Sequence, residues 1–350
     1  MADEEVRISA SSLKEFAKKV FIKVGMPARD AETEAEVLVW ANLRGVDSHG
    51  VLRIPWYVEN LTTGIMNPAP RVRIEKETPA TLLIEADRAM GPVVTVFAMR
   101  KAIEKANKVG IGWAQIRNVT HQGAIGYYSL MAAKEGMAGI TIASHPPNTA
   151  PYGAKAAGIH NSPIAIAVPA KLRYPLVLDM ATSVAAGGKI DLAKDKGIPI
   201  PLGWALDKDG NPTTDPHKAS VFLPIAGPKG SGLSMMFECL TGVMVGNPLL
   251  EPVLQGKRPA KHHIQNSIVA AVNISSFTDL ESYKEHIDVL IDGIKSLPKA
   301  DGFKEIFVPG EPEARTAEER SKQGIPLPWG TVNKLKAIAE KLKIPLPEEL

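Results

Sequence analysis

The sequence predicts an α/β fold that departs from a regular alternation of strands and helices. Residues 1–65 show the helical spacing of apolar residues, and short apolar runs typical of strands occur only after them. Segments of unequal length separate these runs. The glycine fingerprint G-x-G-x-x-G after a first strand is missing, because GPKGSG at 227–232 has its glycines at the wrong spacing.

The composition predicts a soluble protein with a large core. Of the 350 residues, 45% are hydrophobic and 23% are charged, and the formal net charge is +3. No block of Lys and Arg offers the basic face that nucleic acid requires, and no apolar stretch reaches the roughly 18 residues of a membrane span. The N-terminus is acidic and polar, unlike a signal peptide, and the single thiol, Cys239, fits a reducing compartment. We therefore expect a cytoplasmic protein that binds neither nucleic acid nor a membrane.

Helix signals divide residues 1–65 into three segments. Ser12 and Glu15 form a capping-box pattern before the first helix, which Gly25 is expected to end. The second helix is expected to end at Gly45. The third follows the sequence DSHG at 47–50 and is expected to end at Gly64.

Strands and further helices are predicted in the rest of the chain. Strands are expected at TLLIEADR, GWAQIRNV, MAGITIAS, PIAIAVPA, PLVLDMAT and SIVAAVNI, and helices at VVTVFAMRKAIEKANKVG, YYSLMAAKEG, KEHIDVLIDGIKS and TVNKLKAIAEKLK. The run GSGLSMMFECLTGVMV predicts a buried helix, with Cys239 as a small core residue. The charged segment 311–324 predicts an exposed connection.

The stretch DSHGVLRIPWY at 47–57 carries the strongest chemical signal. In a helix that begins near His49, the side chains of His49, Arg53 and Tyr57 fall on one face. Arg53 can clamp a carboxylate with two parallel hydrogen bonds, and His49 can transfer a proton near neutral pH. Tyr57 can add a hydroxyl, and Ser48 can orient the imidazole of His49. The alternative is a helix start with His49 as a cap and Arg53 in a surface ion pair.

The stretch NVTHQGAIGYY at 118–128 predicts a second part of the same site. His121 follows a strand, and small residues lead from it into a helix. Small residues allow a ligand to approach the backbone, and the free N–H groups of a helix start can hold anionic groups such as phosphate. The alternative is a polar turn residue beside a tight turn.

Two further residues are candidates for cofactor contacts. Asp179 ends an apolar run, where its carboxylate can accept ribose hydroxyl hydrogen bonds or cap a helix. Lys229 lies in a glycine-rich turn that could hold phosphate or be a plain turn. The remaining histidines are expected to be structural or on the surface, without the spacing of a metal site, and are His145, His160, His217, His262, His263 and His286.

Taken together, these segments resemble the malate/L-lactate dehydrogenase family that is distinct from the Rossmann-type enzymes of those names. The motifs that carry the resemblance are DSHGVLR, THQGAIGYY, NSPIAIAVP, LDMATS, GWALDKDGNPTTDP, LPIAGPKGSGL and PGEPEAR, and it extends over about residues 8–335. It implies a nicotinamide-binding domain with a largely antiparallel sheet at 76–312. It also implies a helical domain at 1–75 that 313–350 completes, and a homodimer with its active site near the subunit interface.

The resemblance implies two assignments for the proton-transferring residue. The histidine of the reductase members falls on His49, with Ser48 before it and Arg53 and Tyr57 after it. The catalytic histidine of a dehydrogenase branch falls on His121. We expect both histidines to line the substrate, with His121 favoured.

The resemblance also implies a cofactor site that binds NAD or NADP, with NAD favoured. The residues that match the family's cofactor contacts are His121, Ser144, Asp179, Met180, Ala181, Lys229, Gly310, Glu311 and Pro312. One position departs from the family pattern, because Asn161 replaces the usual threonine and its cofactor contact is in doubt. No metal is expected.

The function implied is hydride transfer between a nicotinamide and C2 of a small 2-hydroxy or 2-oxo acid. Two alternatives stay open at this point. One is a reductase of cyclic 2-imino acids from the same family, and the other is a catalytically silent dimer that keeps the fold.

Overall fold

The computed structural model describes residues 6–259 and 263–350. Its helices are α1 (Ala10–Lys23), α2 (Ala28–Leu43), α3 (Ile54–Thr62), α4 (Gly91–Val109), α5 (Gly126–Lys134), α6 (Gly187–Lys196), α7 (Pro228–Glu238), α8 (Glu251–Leu254), α9 (Leu280–Lys295), α10 (Glu311–Gln323) and α11 (Trp329–Leu342). Its strands are β1 (Val6–Ile8), β2 (Arg73–Glu77), β3 (Thr81–Glu85), β4 (Ile111–Val119), β5 (Met137–Ser144), β6 (Ile164–Val168), β7 (Leu176–Met180), β8 (Ala205–Leu206), β9 (Pro212–Thr213), β10 (Val221–Phe222), β11 (Gln265–Asn273) and β12 (Ile325–Leu327).

The main sheet confirms the prediction of an α/β fold with a largely antiparallel sheet. In the described part of the chain it has seven strands in the order β2-β3-β4-β11-β5-β6-β7. Only β3 and β4 run parallel there; every other neighbouring pair is antiparallel. Strand β11 is central because its run SIVAAV is apolar and small, and Ile268 pairs with Gln115 on one side and Ile142 on the other.

Glycines allow α4 and α5 to pack closely on this sheet. A Cβ at Gly112 would lie 1.9 Å from the carbonyl oxygen of Ala102 on α4, and a Cβ at Gly139 would lie 2.2 Å from that of Ser129 on α5. Neither position tolerates a side chain unless the helix moves. The two helices thereby pack directly on the sheet near the first residues of β4 and β5.

Both ends of the chain build a second core. Helices α1, α2, α3 and α11 share a cluster of buried side chains that includes Leu13, Phe16, Phe21, Tyr57 and Leu335. Strand β1 pairs with β12 through Val6 and Leu327, so the N-terminal and C-terminal segments are joined by backbone hydrogen bonds as well. The division into the two predicted domains stays a prediction.

Two predicted elements differ from the structure. The side chain of Ser9, rather than Ser12, caps α1, which begins at Ala10. The charged segment predicted as a connection is helix α10, supported by an ion pair from Glu311 to Arg315 one turn later. This helix was not predicted because it has too few apolar residues to show a helical spacing of them.

The helix predicted around Cys239 is also different. It is α7 continued by a π-helical turn at Cys239–Val243, and one of its faces is exposed. Met236 and Met244 are 57% and 60% exposed, and Cys239 is exposed as well, so the prediction of a core thiol was wrong. Most residues of this segment are apolar, so the sequence does not show that only one face of the helix is buried.

No helix among the described residues combines the length and apolar character needed to cross a membrane. Within residues 6–259 and 263–350, no group of three or more His, Cys, Asp or Glu side chains is arranged to hold a metal ion.

Candidate active site

A cavity of ≈ 890 Å³ lies where the helical core meets the main sheet. Its walls include the segment from α2 to α3, the loops that follow β4 and β5, and the end of β7 with the start of α6. Residues just before β6 and β11 and at the start of α10 line it as well. The motifs at 47–57 and 118–128 and the residues 179–181 therefore face one space.

The segment Asp47–Arg53 forms two 3-10 turns, and the regular helix α3 begins only at Ile54. The prediction of one continuous helix from His49 was wrong because Gly50 adopts an extended conformation with ψ −153°. A Cβ at Gly50 would lie 2.1 Å from Oδ1 of Asn42. The same oxygen accepts the backbone N–H of Val51 at 2.8 Å, so Asn42 caps the second turn.

Helix α10 holds the first of these turns from the other side. Arg320 donates to both carboxylate oxygens of Asp47, at 2.7 and 3.1 Å. Asn42 donates to the same carboxylate at 2.7 Å. The backbone that presents Ser48 and His49 to the cavity is thus fixed by a residue more than 270 positions away in the sequence.

His49 and His121 stack on each other at the cavity wall. Their ring centroids are 5.6 Å apart with an interplanar angle of 20°. Nδ1 of His49 lies 3.0 Å from the Ser48 hydroxyl, as predicted from the sequence. Nδ1 of His121 lies 2.6 Å from the hydroxyl of buried Tyr57. Tyr57 therefore orients His121 from behind.

Both imidazoles are neutral at neutral pH. Loss of solvent around the imidazole lowers the pKa of His49 from 6.5 to about 4, and the positive charge of Arg53 adds to this effect. Burial also lowers the pKa of His121 well below its usual value, and the charges of His49, Arg53 and His145 act in the same direction. The cavity therefore presents two uncharged bases beside a fixed cation.

Arg53 supplies that cation. Its Nε donates to the carbonyl oxygen of Ser48 at 2.7 Å, which fixes the plane of the guanidinium on the cavity wall. Among the described residues, no hydrogen-bond partner is found for its two terminal amino groups. A guanidinium held in this way can receive a carboxylate with two parallel hydrogen bonds.

Asp179, Met180 and Ala181 line the cavity at the end of β7, together with Gly310. Oδ2 of Asp179 accepts the backbone N–H of Gly126 at 2.7 Å, at the start of α5. Loss of solvent around the carboxyl raises the pKa of Asp179 from 3.8 to about 6. This hydrogen bond and the positive charge of Arg44 act in the opposite direction. Asn161 also lines the cavity.

Four predicted cofactor residues do not line this cavity. Ser144 is buried and hydrogen-bonded to Asn266 and Thr241. Lys229 is exposed in the first turn of α7. Glu311 binds Lys295 and Arg315 in an ion-pair cluster, and Pro312 follows it on the surface.

The structure also brings to the cavity residues that the sequence did not single out, and three of them have aromatic or imidazole side chains. His145 and His263, both predicted to be structural or on the surface, line the cavity together with Trp56. The indole of Trp56 contacts the ring of His121 edge-on at 5.7 Å and that of His263 at 5.6 Å. The only local signal was the position of Trp56 between Arg53 and Tyr57. His262, the neighbour of His263, lies outside the described residues.

Comparison with known proteins identifies the family of the chain. The family model for malate/L-lactate dehydrogenase matches residues 8–336. The L-sulfolactate dehydrogenase of Methanocaldococcus jannaschii is 42% identical over 335 residues, which cover 94% of this chain and 96% of that protein. The ureidoglycolate dehydrogenase (NAD(+)) of Escherichia coli strain K12 is 32% identical over 327 residues, covering 91% of this chain and 92% of that protein.

The fold comparison gives the same result. The crystal structure of malate dehydrogenase from Entamoeba histolytica superimposes with a TM-score of 0.93 at 29% identity, covering 98% of this chain and 100% of that chain. The chain therefore belongs to the malate/L-lactate dehydrogenase family, whose named relatives are dehydrogenases of hydroxy acids, and it is an enzyme of that class.

Proposed function

We propose that this enzyme transfers a hydride between a nicotinamide cofactor and C2 of a small 2-hydroxy or 2-oxo carboxylic acid. The observation that carries the proposal is the convergence of His49, Arg53 and His121 on one cavity. A carboxylate clamp beside neutral bases is the set that oxidation of a 2-hydroxy acid requires. The names of the relatives, which include sulfolactate, malate and ureidoglycolate dehydrogenases, support this substrate class.

Arg53 binds the substrate carboxylate and thereby fixes the position of C2 and its oxygen. Binding of this anion offsets the positive charge of Arg53 near the histidines. The contribution of Arg53 to the lowered pKa of His49 then decreases, so His49 becomes a better proton acceptor when substrate is bound.

The hydrogen-bond partners of the two histidines suggest different roles. Nδ1 of His121 accepts from the backbone N–H of Gly123 at 3.4 Å as well as from the Tyr57 hydroxyl, so the hydrogen of neutral His121 is on Nε2. This Nε2–H donates to the substrate oxygen. The Ser48 hydroxyl can donate or accept, so His49 can present a bare nitrogen that takes the hydroxyl proton. This reverses the order that the resemblance favoured.

The cavity residues suit a nicotinamide dinucleotide. Its backbone and small side chains at Gly123–Gly126, Ala181 and Gly187–Gly188 let a flat ligand approach closely, and Trp56 and Met180 add apolar surface. The carboxylate of Asp179 can accept ribose hydroxyl hydrogen bonds, which favours NAD over the 2′-phosphate of NADP. When bound, the nicotinamide supplies or accepts the hydride.

An activity panel tests the proposal. Purified enzyme is incubated with NAD or NADP and each of malate, lactate, sulfolactate and ureidoglycolate, and the absorbance of the reduced nicotinamide is followed. We expect reduction with at least one acid, faster with NAD, and loss of that rate in Arg53→Met. Activity only in the reverse direction, with a cyclic 2-imino acid, would assign the enzyme to the imine reductases. Absence of nicotinamide binding in calorimetry would contradict the proposal.

We further propose that the enzyme is a cytoplasmic homodimer. The exposed apolar face of α7 and its π-helical turn, which includes Met235, Met236, Val243 and Met244, supports association with a second copy. Light scattering after size exclusion should give twice the 37.6 kDa chain mass, and Met236→Glu should shift it toward the monomer. A wild-type monomer at micromolar concentration would contradict this part.

A further inference from the structure

His145 lies on the cavity wall directly after β5, and both of its ring nitrogens have partners. Nδ1 lies 2.8 Å from the carbonyl oxygen of Pro146. Nε2 lies 2.5 Å from the side-chain oxygen of Asn161. The chemistry of these two partners decides how many protons the ring carries, because a neutral imidazole has one N–H and one bare nitrogen.

The partner of Nδ1 is an acceptor without ambiguity. A backbone carbonyl oxygen has no proton to donate, so the contact with Pro146 requires a hydrogen on Nδ1.

The partner of Nε2 is also an acceptor, and a chain of hydrogen bonds fixes it. The backbone N–H of Asn161 donates to Oδ1 of Asn148 at 3.0 Å. The amide oxygen of Asn148 is thereby fixed, and its Nδ2 must donate to Oδ1 of Asn161 at 3.1 Å. The other end of the Asn161 amide donates from Nδ2 to the Ser183 hydroxyl at 3.4 Å. The amide orientation that is often ambiguous is therefore determined here by an obligate backbone donor.

We propose that His145 is held as an imidazolium by these two acceptors and acts as an electrostatic positioning residue that opposes protonation of His121, which lines the same cavity. The proposal deepens the proposed function, on which its kinetic part rests. Asn161, the residue that departs from the family pattern, supplies one of the two acceptors. A short hydrogen bond between a charged N–H and an amide oxygen is stronger than its neutral counterpart, which stabilises the protonated ring.

The charge of His145 acts on His121, the histidine that donates to the substrate oxygen in the proposed function. It adds to burial and to the charges of His49 and Arg53, which lower the pKa of His121. Among the described residues, the titratable groups near this imidazolium include His160, whose ring centroid is 5.8 Å away, and Glu238, whose carboxylate lies 3.5 Å from Nε2 of His160. A proton on His121 is thus opposed by the charges of Arg53 and His145.

The first test measures the protonation state without using activity. In long-range ¹⁵N–¹H correlation spectra of the full-length enzyme at neutral pH, both ring nitrogens of His145 should have the shifts of an imidazolium. Assignment uses His145→Gln. In Asn161→Thr the hydroxyl can donate to Nε2, so His145 should become neutral at neutral pH. A neutral His145 in the wild-type enzyme would overturn the proposal, whether or not the enzyme oxidises hydroxy acids.

The second test measures the consequence for catalysis. The acid limb of the pH profile of kcat/KM for hydroxy acid oxidation reports protonation of the stacked pair His49/His121. Loss of a like charge raises the pKa of His121, so His145→Gln and Asn161→Thr should both move this limb to higher pH, by roughly one pH unit. His217→Gln, an exposed histidine, is the matched control and should leave the limb unchanged. An imidazolium in the spectra with no shift of the limb in either variant would overturn the electrostatic role.

Discussion

The cavity is lined by two groups of residues that are built in different ways. One group, which we call the side-chain wall, consists of Ser48, His49, Arg53 and His121, whose polar groups are oriented by hydrogen bonds. The other group, which we call the backbone wall, consists of residues 123–126, 179–181 and 186–188 together with Gly310, and it is rich in glycine and alanine. The first wall offers a cation and two neutral imidazoles, whereas the second offers mainly backbone and space.

This difference separates the tasks of the two walls. Substitutions in the side-chain wall remove chemical groups, so they should change the rate of the reaction and the binding of the acid. Substitutions in the backbone wall add atoms where a ligand approaches, so they should change cofactor binding.

The largest effect is expected from removing the histidines of the side-chain wall. His49→Ala and His121→Ala should each lower kcat by about 10²–10⁴-fold, because general acid–base contributions have this size. Steady-state kinetics of hydroxy acid oxidation measure the loss, with exposed His217→Ala as the control. Near wild-type kcat in both variants would contradict the assignment of this wall to catalysis.

The carboxylate clamp should give the next largest effect. Arg53→Lys keeps the charge and loses the second parallel hydrogen bond, so the KM of the acid should rise roughly tenfold while kcat changes little. Exposed Arg29→Lys is the matched control. An unchanged KM with a lowered kcat would place Arg53 in the chemical step instead.

A methyl group on the backbone wall should affect the cofactor alone. A Cβ at Gly126 would lie 2.9 Å from Oδ2 of Asp179, the oxygen that the N–H of Gly126 holds. Gly126→Ala should raise the KM of the nicotinamide about threefold to tenfold and leave that of the acid nearly unchanged. In the control Gly293→Ala the added Cβ meets no atom within 4 Å. A larger effect on the acid than on the cofactor would remove the distinction between the walls.

The smallest effect concerns stability. The pKa of His49 is about 4 in the folded enzyme and 6.5 ordinarily, so the unfolded chain binds a proton first as the pH falls. This histidine therefore makes the enzyme lose stability as the pH decreases from 6.5 to about 4. His49→Gln should reduce that loss, measured as urea midpoints across the window. Exposed His286→Gln should not. A steeper loss of stability with falling pH in His49→Gln would contradict the assigned effect of His49.

The sequence predicted much of the fold because apolar spacing and glycine stops are local signals. Gly25, Gly45 and Gly64 each follow a helix with positive φ, as expected, and strands β3, β4, β5, β6, β7 and β11 lie where the apolar runs occur. Strand β2 was missed because its sequence, RIEKE, is charged and exposed. Helix α10 was missed because it has few apolar residues and depends on ion pairs such as Glu311–Arg315. Burial on one face only of α7 cannot be read from a continuous apolar run.

Several residues of the candidate site were predictable from local motifs. His49, Arg53 and Tyr57 stand within nine residues of one motif, and His121 and residues 179–181 belong to two others. The contacts that position them come from residues far away in the sequence. An example is the hydrogen bond from Arg320 to Asp47, which no local sequence pattern predicts. His145 was missed for the same reason. Its partner Asn161 is 16 residues away in the sequence, just before β6.

Transfer of the C2 hydrogen is the most direct test of the account. The acid that is most active in the panel is prepared with deuterium at C2 and oxidised by the wild-type enzyme. Direct hydride transfer predicts that the deuterium appears on the nicotinamide ring of the reduced cofactor and that the rate of the transfer step falls. Deuterium released into water, with an unlabelled cofactor, would contradict direct hydride transfer at this site.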